Sequence, residues 1–452
     1  MSQGKPSKKN MTVGAPGRTL FFFALPMIWG NLFQQFYNMA DSVIVGRFVG
    51  EEALAAVGAS YALTTVFVML AIGGGNGSAV ITSQYLGAGK YRQMKTSVYT
   101  ALLFFMGVSV AAAMIGLFGS GGILQALKTP DNILASAQTY LRIYFIGLPF
   151  LFMYNILASM FNAMGDSRTP LYLLIFSSIL NVVLDLVFVT QFRWGVAGVA
   201  VATVLAQGIS AVISFCRLMS RLKEYETDEN IVLFDVHMLG AMIKVAIPTM
   251  LQQSIVSIGM LLVQSVVNGF GSSVLAGYTA GSRIESICIV PMIAMGNAVS
   301  TFTAQNMGAG KTERVRQGYR AAYGIIIAIA VFLCIVLLTG KNTFVGLFLE
   351  ESSAAAYETG VSYLGFIAFF YVFIGLKAAT DGVLRGSGDV TVFTVANLVN
   401  LSIRVIVANL CAPVWGVAVV WYAVPMGWAA NYLISFGRYL SGKWSTKRLI
   451  GK

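Results

Sequence analysis

The sequence carries little charge. Asp, Glu, Lys and Arg make up only 11% of its 452 residues, whereas ordinary soluble domains carry about 25%. Hydrophobic residues account for 57%, and the mean hydropathy is +0.76. This composition excludes a soluble globular protein, and it excludes disorder, which requires low hydrophobicity and high charge. Because the apolar runs are long and continuous instead of alternating, the sequence predicts an integral membrane protein made of helices.

Residues that usually perform chemistry are also scarce. The chain has one histidine, His237, and four cysteines without CxxC spacing, which excludes a histidine-based metalloenzyme and a redox motif. Gly310-Lys311-Thr312 resembles the end of a phosphate-binding loop, but Gln305 stands where the first glycine is required. We therefore predict a protein that is not an enzyme, uses no ATP and needs no cofactor. An intramembrane enzyme is the alternative from another class, and it would need a nucleophile with a base or a set of metal ligands.

Basic residues exceed acidic ones by 30 to 18, for a net charge of +12. With the N-terminus in the cytoplasm, the cytoplasmic segments and their flanks hold 22 Lys and Arg, and the external loops hold 4. The positive-inside rule then predicts an even number of spans and both termini in the cytoplasm. The expected location is a bacterial-type inner (plasma) membrane. The same rule explains the basic excess without a nucleic-acid partner. The first apolar run is interpreted as a retained span and not as a signal peptide.

Apolar runs bounded by charged or turn residues predict twelve transmembrane helices. Their approximate spans are 19–46, 53–86, 96–119, 132–161, 168–191, 195–217, 241–268, 274–307, 318–340, 355–384, 390–411 and 415–438. Each run is long enough to cross the hydrocarbon core of a bilayer.

The two halves of the chain repeat each other. One constant offset relates Gly75-Asn76 to Gly296-Asn297 and Trp194-Gly195 to Trp415-Gly416. A slightly longer offset relates both Tyr140-Leu141 to Tyr363-Leu364 and Gly165-Asp166 to Gly388-Asp389. Since each half has an even number of spans, both halves enter the membrane from the same side.

The predicted fold class is therefore an all-α integral membrane protein with twelve transmembrane helices in two pseudo-twofold-related six-helix lobes. We expect a cytoplasmic N-terminal segment (1–18), an N-terminal lobe (19–217), a cytoplasmic linker (218–240) that includes Asp228 and Glu229, a C-terminal lobe (241–438) and a basic cytoplasmic tail (439–452). Because both halves lie in one chain, a monomer suffices for function, with lipids around it.

Charged residues inside spans are costly, at roughly 2.5–3.5 kcal/mol each on insertion scales, and are kept where something compensates them. Asp41 lies near the outer end of the first span, and Gln34, Tyr37 and Asn38 share its helix face. Asp185 lies deeper in the fifth span, one helical turn after Asn181.

Neighbouring helices add Asn155 and Thr203 to this set of oxygen-bearing residues. Such a set suits a hard cation such as Na⁺. It could equally hold a proton, because burial and a second carboxylate both disfavour the ionised form. A structural hydrogen-bond network between helices is the third interpretation.

The second half offers other candidates. Arg283 with Glu285, and Lys377 with Asp381, could form ion pairs, and Asp381 is the better functional candidate of the two acids. The seventh span carries a polar stripe that includes Gln252, Gln253 and Gln264. We expect Gln252, Gln253 and Asp381, like Gln34, Tyr37 and Asn38, to belong to a substrate cavity or its network.

Several ordered motifs resemble the multidrug and toxic compound extrusion (MATE) family. The first span and the turn after it resemble the family from Pro26 through Asp41 to Gly58. Gln84 with Gly87-Ala88-Gly89, the copy of this motif in the second half, and the turn Leu384–Asp389 resemble the family as well. The resemblance extends over nearly the whole chain.

This resemblance implies twelve helices around a central cavity and export of organic, usually cationic drugs in exchange for Na⁺ or H⁺. It implies that Asp41, Asn181 and Asp185 form the cation site with Asn155 and Thr203 beside them, and that Pro26 lets the first span bend. One departure is that some members carry a glutamate in the seventh span, where this chain has only glutamines. The alternative function is a lipid-linked oligosaccharide flippase of the same superfamily, although only four basic residues lie within spans.

Overall fold

The structure is a computed structural model that describes residues 10–126, 129–227, 230–349, 354–447 and 449–450. All regular secondary structure in these ranges is helical. The first nine residues and linker residues Asp228 and Glu229, for which a cytoplasmic location is predicted, lie outside the described residues.

The N-terminal half contains six long helices. They are α1 Pro16–Ile44, α2 Glu51–Gly87, α3 Tyr91–Ala126, α4 Asp131–Ala163, α5 Arg168–Leu186 and α6 Gly195–Lys223. Short π-helical turns, Val45–Val49 and Val187–Gln191, extend α1 and α5.

The C-terminal half repeats this order with two interrupted helices. Its helices are α7 Val236–Asn268, α8 Ser272–Cys288, α9 Val290–Gly308, α10 Thr312–Gly346, α11 Ala354–Ile367, α12 Tyr371–Ser387, α13 Val390–Trp415 and α14 Ala418–Leu440. The segments α8 and α9 follow each other directly, and a 3₁₀ turn at Ala368–Phe370 joins α11 to α12. Counted as continuous rods, the described helices number twelve, in the predicted order.

Ten of these rods are long and apolar enough to cross a membrane. The two others among the described helices are α1, which carries the polar stripe around Asp41, and α14, which is rich in Trp, Tyr and polar residues. Large apolar side chains such as Ile115 and Phe118 point outward, 72% and 84% exposed. A bilayer would cover such side chains, so the prediction of a multi-pass helical membrane protein is confirmed.

The chain divides into two compact units, residues 29–250 and residues 1–28 with 251–452. The predicted lobes, 19–217 and 241–438, keep α1 and α7 whole from their predicted starts. The compact units instead divide α1 after residue 28 and α7 after residue 250. Leu20 and Phe23 of α1 lie in the apolar core of the second unit with Tyr319. Each of the two helices passes from one unit to the other shortly after a proline, Pro26 in α1 and Pro248 in α7.

A run of glycines lets α2 pack closely against two helices. A Cβ atom on Gly77 would lie 2.3 Å from Cα of Ala246 in α7, and one on Gly73 would lie 2.7 Å from Cα of Met250. A Cβ on Gly75 would lie 2.5 Å from Oγ of Ser159 in α4. Side chains at these positions would push the helices apart, as expected where small residues form helix interfaces.

Residues 10–15, which we call the amino-terminal strap, are bound to the turn between α9 and α10. The Arg314 guanidinium donates to the carbonyl oxygens of Val13 at 2.7 Å and Gly14 at 2.6 Å. Lys311 donates to the Thr12 carbonyl at 2.9 Å, and the Met11 N–H donates to Gln305 Oε1 at 3.0 Å. The strap thereby fixes the start of α1 within its own compact unit.

The segment before α7 makes equivalent contacts in the other unit. Arg92 at the start of α3 donates to the Asn230 carbonyl oxygen at 2.9 Å, and the Asp235 N–H donates to Thr100 Oγ1 at 3.1 Å. The repeat in the sequence therefore extends to the way in which the first helix of each half is anchored.

Candidate cation-binding site

Two carboxyl groups meet in the N-terminal half. Asp41 from α1 and Asp185 from α5 lie within hydrogen-bonding reach of each other. Asp185 is fully buried. Within the described residues, Oδ1 of each aspartate is shielded from solvent and has no hydrogen-bond partner. Two adjacent carboxylates in such a place repel each other unless a proton or a cation lies between them.

Asn181 of α5 connects this acid pair to Tyr37 of α1 and to one further helix, α6. Its amide group is hydrogen-bonded to the Tyr37 hydroxyl on α1. With the amide nitrogen turned toward Asp185, it donates to Oδ2 at 3.2 Å while its oxygen accepts the Thr203 backbone N–H at 3.1 Å. The surrounding groups favour this orientation because it gives both ends of the amide suitable partners. Tyr37, Asn181, Asp185 and Thr203 are therefore brought together as one polar cluster with Asp41.

The helices that carry the two acids change geometry just beyond them. Asp41 precedes the π-helical turn Val45–Val49, and Asp185 precedes the turn Val187–Gln191. Val45 and Val189 of these turns are buried in one apolar cluster with Ala53 and Val199. π-Helical turns often occur at functional sites, and here the packed valines fix the ends of both helices.

Tyr140 of α4 lies near the acid pair, and the sequence analysis did not include it among the candidate site residues. Its ring lies close enough for the charges of Asp41 and Asp185 to act on its hydroxyl. The recurrence of Tyr140-Leu141 as Tyr363-Leu364 was a signal that could have identified it.

Three other predicted residues of the N-terminal half make hydrogen bonds within their own helices: Gln34, Asn38 and Asn155. Asn155 uses its amide nitrogen inside α4, where it donates to the Leu151 carbonyl oxygen at 2.9 Å. Gln34 donates to Asn38 Oδ1 at 3.0 Å, so these two residues pair along α1. The polar face of α1 therefore runs from Gln34 to Asp41. The Asn155 amide nitrogen is hydrogen-bonded within its own helix.

Pro26, Gln252, Gln253 and Asp381 belong to the other compact unit. Pro26 lies inside the continuous helix α1. The side-chain oxygen of Gln252 is buried and has no partner among the described residues.

Asp381 lies in a closed polar network instead of an open cluster. It accepts hydrogen bonds from Lys377 at 3.1 Å, Asn397 at 3.3 Å and Ser435 at 2.8 Å. The expected ion pair of Lys377 with Asp381 is thus present. In the described part of the chain, Glu285 is bonded to the Tyr363 hydroxyl and not paired with Arg283.

The chemistry of the N-terminal cluster follows from its atoms. Asp41, Asp185, Asn181, Tyr37 and Thr203 offer oxygen ligands, which hard cations prefer. The same pair of carboxyl groups can also share a proton.

Comparison with known proteins agrees with this geometry. The sequence pattern of the MatE family matches residues 26–187 and again residues 248–410, once in each half. The chain is 31% identical over 447 residues to the probable multidrug resistance protein YpnP of Bacillus subtilis, covering 97% of this chain and 98% of that protein.

Solved structures share the fold. Structures of MATE in the straight and in the bent conformation superpose with TM-scores of 0.88 and 0.89, at 22% sequence identity. In both comparisons the match covers 97% of this chain and 99% of the solved chain. With the family pattern present in both halves and a relative this similar along nearly its whole length, the chain belongs to the multidrug and toxic compound extrusion (MatE) family of membrane transporters and is not an enzyme.

Proposed function

We propose that this protein exports small organic, mainly cationic compounds in exchange for Na⁺ or H⁺. The observation that carries the proposal is the contact between the Asp41 and Asp185 carboxyl groups, each with a buried oxygen that has no partner among the described residues. Such a pair has a strong preference for one bound cation or proton, because the bound charge relieves the repulsion. The name of the relative YpnP, a probable multidrug resistance protein, supports drugs as the cargo.

Coupling requires that the bound cation favour one conformation over another. We propose that occupancy of the acid pair changes the shape of α1, with Pro26 as its hinge. Two observations support this role: Asp41 lies on the same helix, and α1 passes from one compact unit to the other shortly after Pro26. Solved relatives with straight and bent conformations have this fold. A proline hinge lacks one backbone hydrogen bond and therefore bends at lower cost.

We further propose that both termini lie in the cytoplasm of a cell bounded by this plasma membrane, and that one chain suffices for transport. The distribution of 22 basic residues inside and 4 outside supports the orientation. The lipid-linked oligosaccharide flippase gains no support from the YpnP relative, whose printed name refers to multidrug resistance.

The test is efflux of ethidium from proteoliposomes under a Na⁺ gradient alone and under a proton gradient alone. Wild-type protein should export ethidium under one gradient, which identifies the coupling ion. Asp41→Asn and Asp185→Asn should each reduce gradient-driven efflux at least roughly tenfold, because each removes one of the two charges that hold the cation.

Asp131→Asn is the matched control, since Asp131 is exposed in the first turn of α4 and far in sequence from either acid. It should leave efflux unchanged. Full efflux by Asp41→Asn at equal reconstitution would refute the coupling role of the acid pair, and no efflux by the wild type under either gradient would refute drug export.

A further inference from the structure

A buried carboxyl group in the C-terminal half is held differently from the acid pair. Asp381 of α12 is 4% exposed, and Lys377, one turn earlier on the same helix, donates to its Oδ2 at 3.1 Å. Asn397 of α13 donates to the same oxygen at 3.3 Å, and Ser435 of α14 donates to Oδ1 at 2.8 Å. Both oxygens of this carboxylate therefore have partners, whereas each aspartate of the acid pair has one oxygen without a partner among the described residues.

Lys377 supplies the positive charge in contact with this carboxylate. Its side chain is 9% exposed and that of Asp381 is 5% exposed, so the ion pair is shielded from solvent. Arg385 is the other cationic side chain on this face of α12, one turn after Asp381. Its guanidinium group donates to Asn297 and Ser300 of α9, at 2.7 Å and 3.1 Å. In the described chain, the Lys377 ammonium is thus the cationic group that is hydrogen-bonded to Asp381.

A buried carboxylate requires a compensating charge close to it, because the protein interior screens charges weakly. In the N-terminal half, the groups that contact Asp41 and Asp185 in the described structure are neutral or acidic. An exchangeable ion has to supply the compensation there. At Asp381 the ammonium group of Lys377 is covalently attached to the chain and cannot leave. This ion pair therefore has no charge left for a mobile cation to compensate.

The repeat indicates that the C-terminal ion pair is not a copy of an older feature shared by both halves. The longer of the two repeat offsets relates Asp381 to Ala158 and Lys377 to Tyr154 of α4. The lysine and the aspartate thus occur together in one half and are both replaced in the other. This joint occurrence is expected of two residues that depend on each other for compensation of charge.

The groups around Asp381 would suit a cation if the lysine were absent. Ser435 Oγ lies 3.4 Å from Oδ1 of the fully buried Asn431, so a hydroxyl and an amide oxygen stand beside the carboxylate. Carboxylate, hydroxyl and amide oxygens are the ligands that hard cations such as Na⁺ prefer. The oxygen donors of a cation site are therefore assembled on α12 and α14, with the Lys377 ammonium next to them.

We propose that Lys377 is a built-in counter-ion that closes this site: its ammonium group takes the place that an exchangeable cation would have at Asp381. The chain then has one exchangeable coupling-ion site, at Asp41 and Asp185, and Lys377 determines this number. The inference rests on the proposed function in one respect, because it takes the acid pair as the open site. Its own claim concerns Asp381.

The experiment counts bound cations on purified full-length protein before and after removal of the lysine charge. Equilibrium binding of radioactive Na⁺ and proton uptake upon acidification are both measured as differences from the wild type, so that either ion is detected. Lys377→Met should bind one cation more than the wild type, because Asp381 loses its fixed partner. Lys377→Met combined with Asp381→Asn should return to the wild-type count, since no charge is left to compensate.

Two matched variants make the result specific. Lys377→Arg keeps a positive charge and should bind as many cations as the wild type. Lys443→Met removes an exposed lysine that follows α14, and it should also leave the count unchanged. The hydroxyls of Tyr319 and Tyr323, which are bonded to Thr380 beside the ion pair, are present in all variants and cancel in the difference.

The inference is overturned if folded Lys377→Met binds the same number of cations as the wild type, or if its additional cation remains after Asp381→Asn. If Lys377→Met does not fold, the neutral double variant decides, because replacement of both members of a buried ion pair is often tolerated. It should keep the wild-type count. Loss of one cation in the double variant would mean that Asp381 already holds an exchangeable ion, which overturns the inference as well. Failure of the proposed function has a different signature, namely no cation lost from the wild-type count in Asp41→Asn.

Discussion

The distinctive atoms at the scale of single residues are the carboxylate oxygens of Asp41 and Asp185 that lack a partner among the described residues. Asp381, in contrast, accepts hydrogen bonds from three side chains. A fully bonded carboxylate has little affinity left for a mobile ion, whereas an incompletely bonded one must acquire a ligand. We therefore expect the two kinds of acid to differ in their affinity for a mobile ion because of their hydrogen bonds.

Substitution of Tyr37 tests how strongly ion binding depends on a residue that contacts Asn181 of the cluster. Tyr37→Phe removes the hydroxyl that is bonded to Asn181. A hydrogen bond contributes about 1 kcal/mol, so the affinity for the coupling ion should fall roughly fivefold. Ion binding at equilibrium measures this change. Tyr172→Phe on α5, where the side chain is 64% exposed, is the matched control and should bind the ion like the wild type. Unchanged affinity in Tyr37→Phe would contradict a contribution of Tyr37 to the site.

At the scale of helices, close packing and anchoring depend on a few positions. The glycines of α2 place its backbone against α4 and α7. The strap binds to the turn between α9 and α10, and the segment before α7 binds to Arg92 and Thr100 of α3. Both features can be tested by stability measurements that do not depend on knowledge of the transported compound.

Gly77→Ala should destabilise the protein by roughly 1–3 kcal/mol, because the new methyl group overlaps the Ala246 backbone. Thermal unfolding in detergent measures the effect. Gly58→Ala on the same helix has open space around the added Cβ and should be neutral or stabilising by up to about 1 kcal/mol. Equal melting temperatures for the two variants would show that α2 and α7 do not pack as described.

Arg314→Ala should release the amino-terminal strap, because it removes the guanidinium bonds to Val13 and Gly14. Charge-assisted bonds contribute about 1.5–3 kcal/mol each when well shielded, and less at this partly exposed position. Limited cleavage of the strap by thermolysin, which cuts before apolar residues such as Met11 and Val13, should become several times faster. Arg316→Ala, which only loses a surface pair with Glu313, should be cleaved at the wild-type rate. Equal rates for both variants would mean that Arg314 does not hold the strap.

At the scale of the whole molecule, α1 and α7 are each divided between the two compact units. The chain up to residue 28 of α1 belongs with residues 251–452, and α7 up to residue 250 belongs with the unit that begins at residue 29. A cut in the linker near residue 228 therefore leaves residues 1–28 on a different fragment from residues 251–452. It likewise separates residues 228–250 from the rest of the first unit. We expect residues 228–452 expressed alone to be unstable, because Leu20 and Phe23 are missing from their core. Co-expression with residues 1–227 should restore a folded complex, measured by size-exclusion chromatography. A stable, monodisperse C-terminal half would contradict this division.

The sequence was sufficient to predict the helices, because apolar runs of about 20 residues have few alternative structures in a bilayer. It did not predict that α3 starts at Tyr91, since polar residues can extend a helix beyond the membrane. The break between α8 and α9 was missed although Pro291 follows it, because the run stays apolar throughout. Likewise, the polar face of α1 was evident from spacing, but the contact of Tyr37 with Asn181 depends on how α1 and α5 pack.

The anchoring of the amino-terminal strap also has a consequence for biosynthesis. Met11 is synthesised long before its partner Gln305, which lies 294 residues later in the chain. Domains usually fold as they emerge, beginning at the N-terminus. Here residues 29–250 can complete their unit first, whereas residues 10–28 must wait until α9 and α10 have been synthesised. A segment made before either unit is therefore among the last to reach its final place, and during that interval its apolar side chains need cover from the membrane or from the insertion machinery.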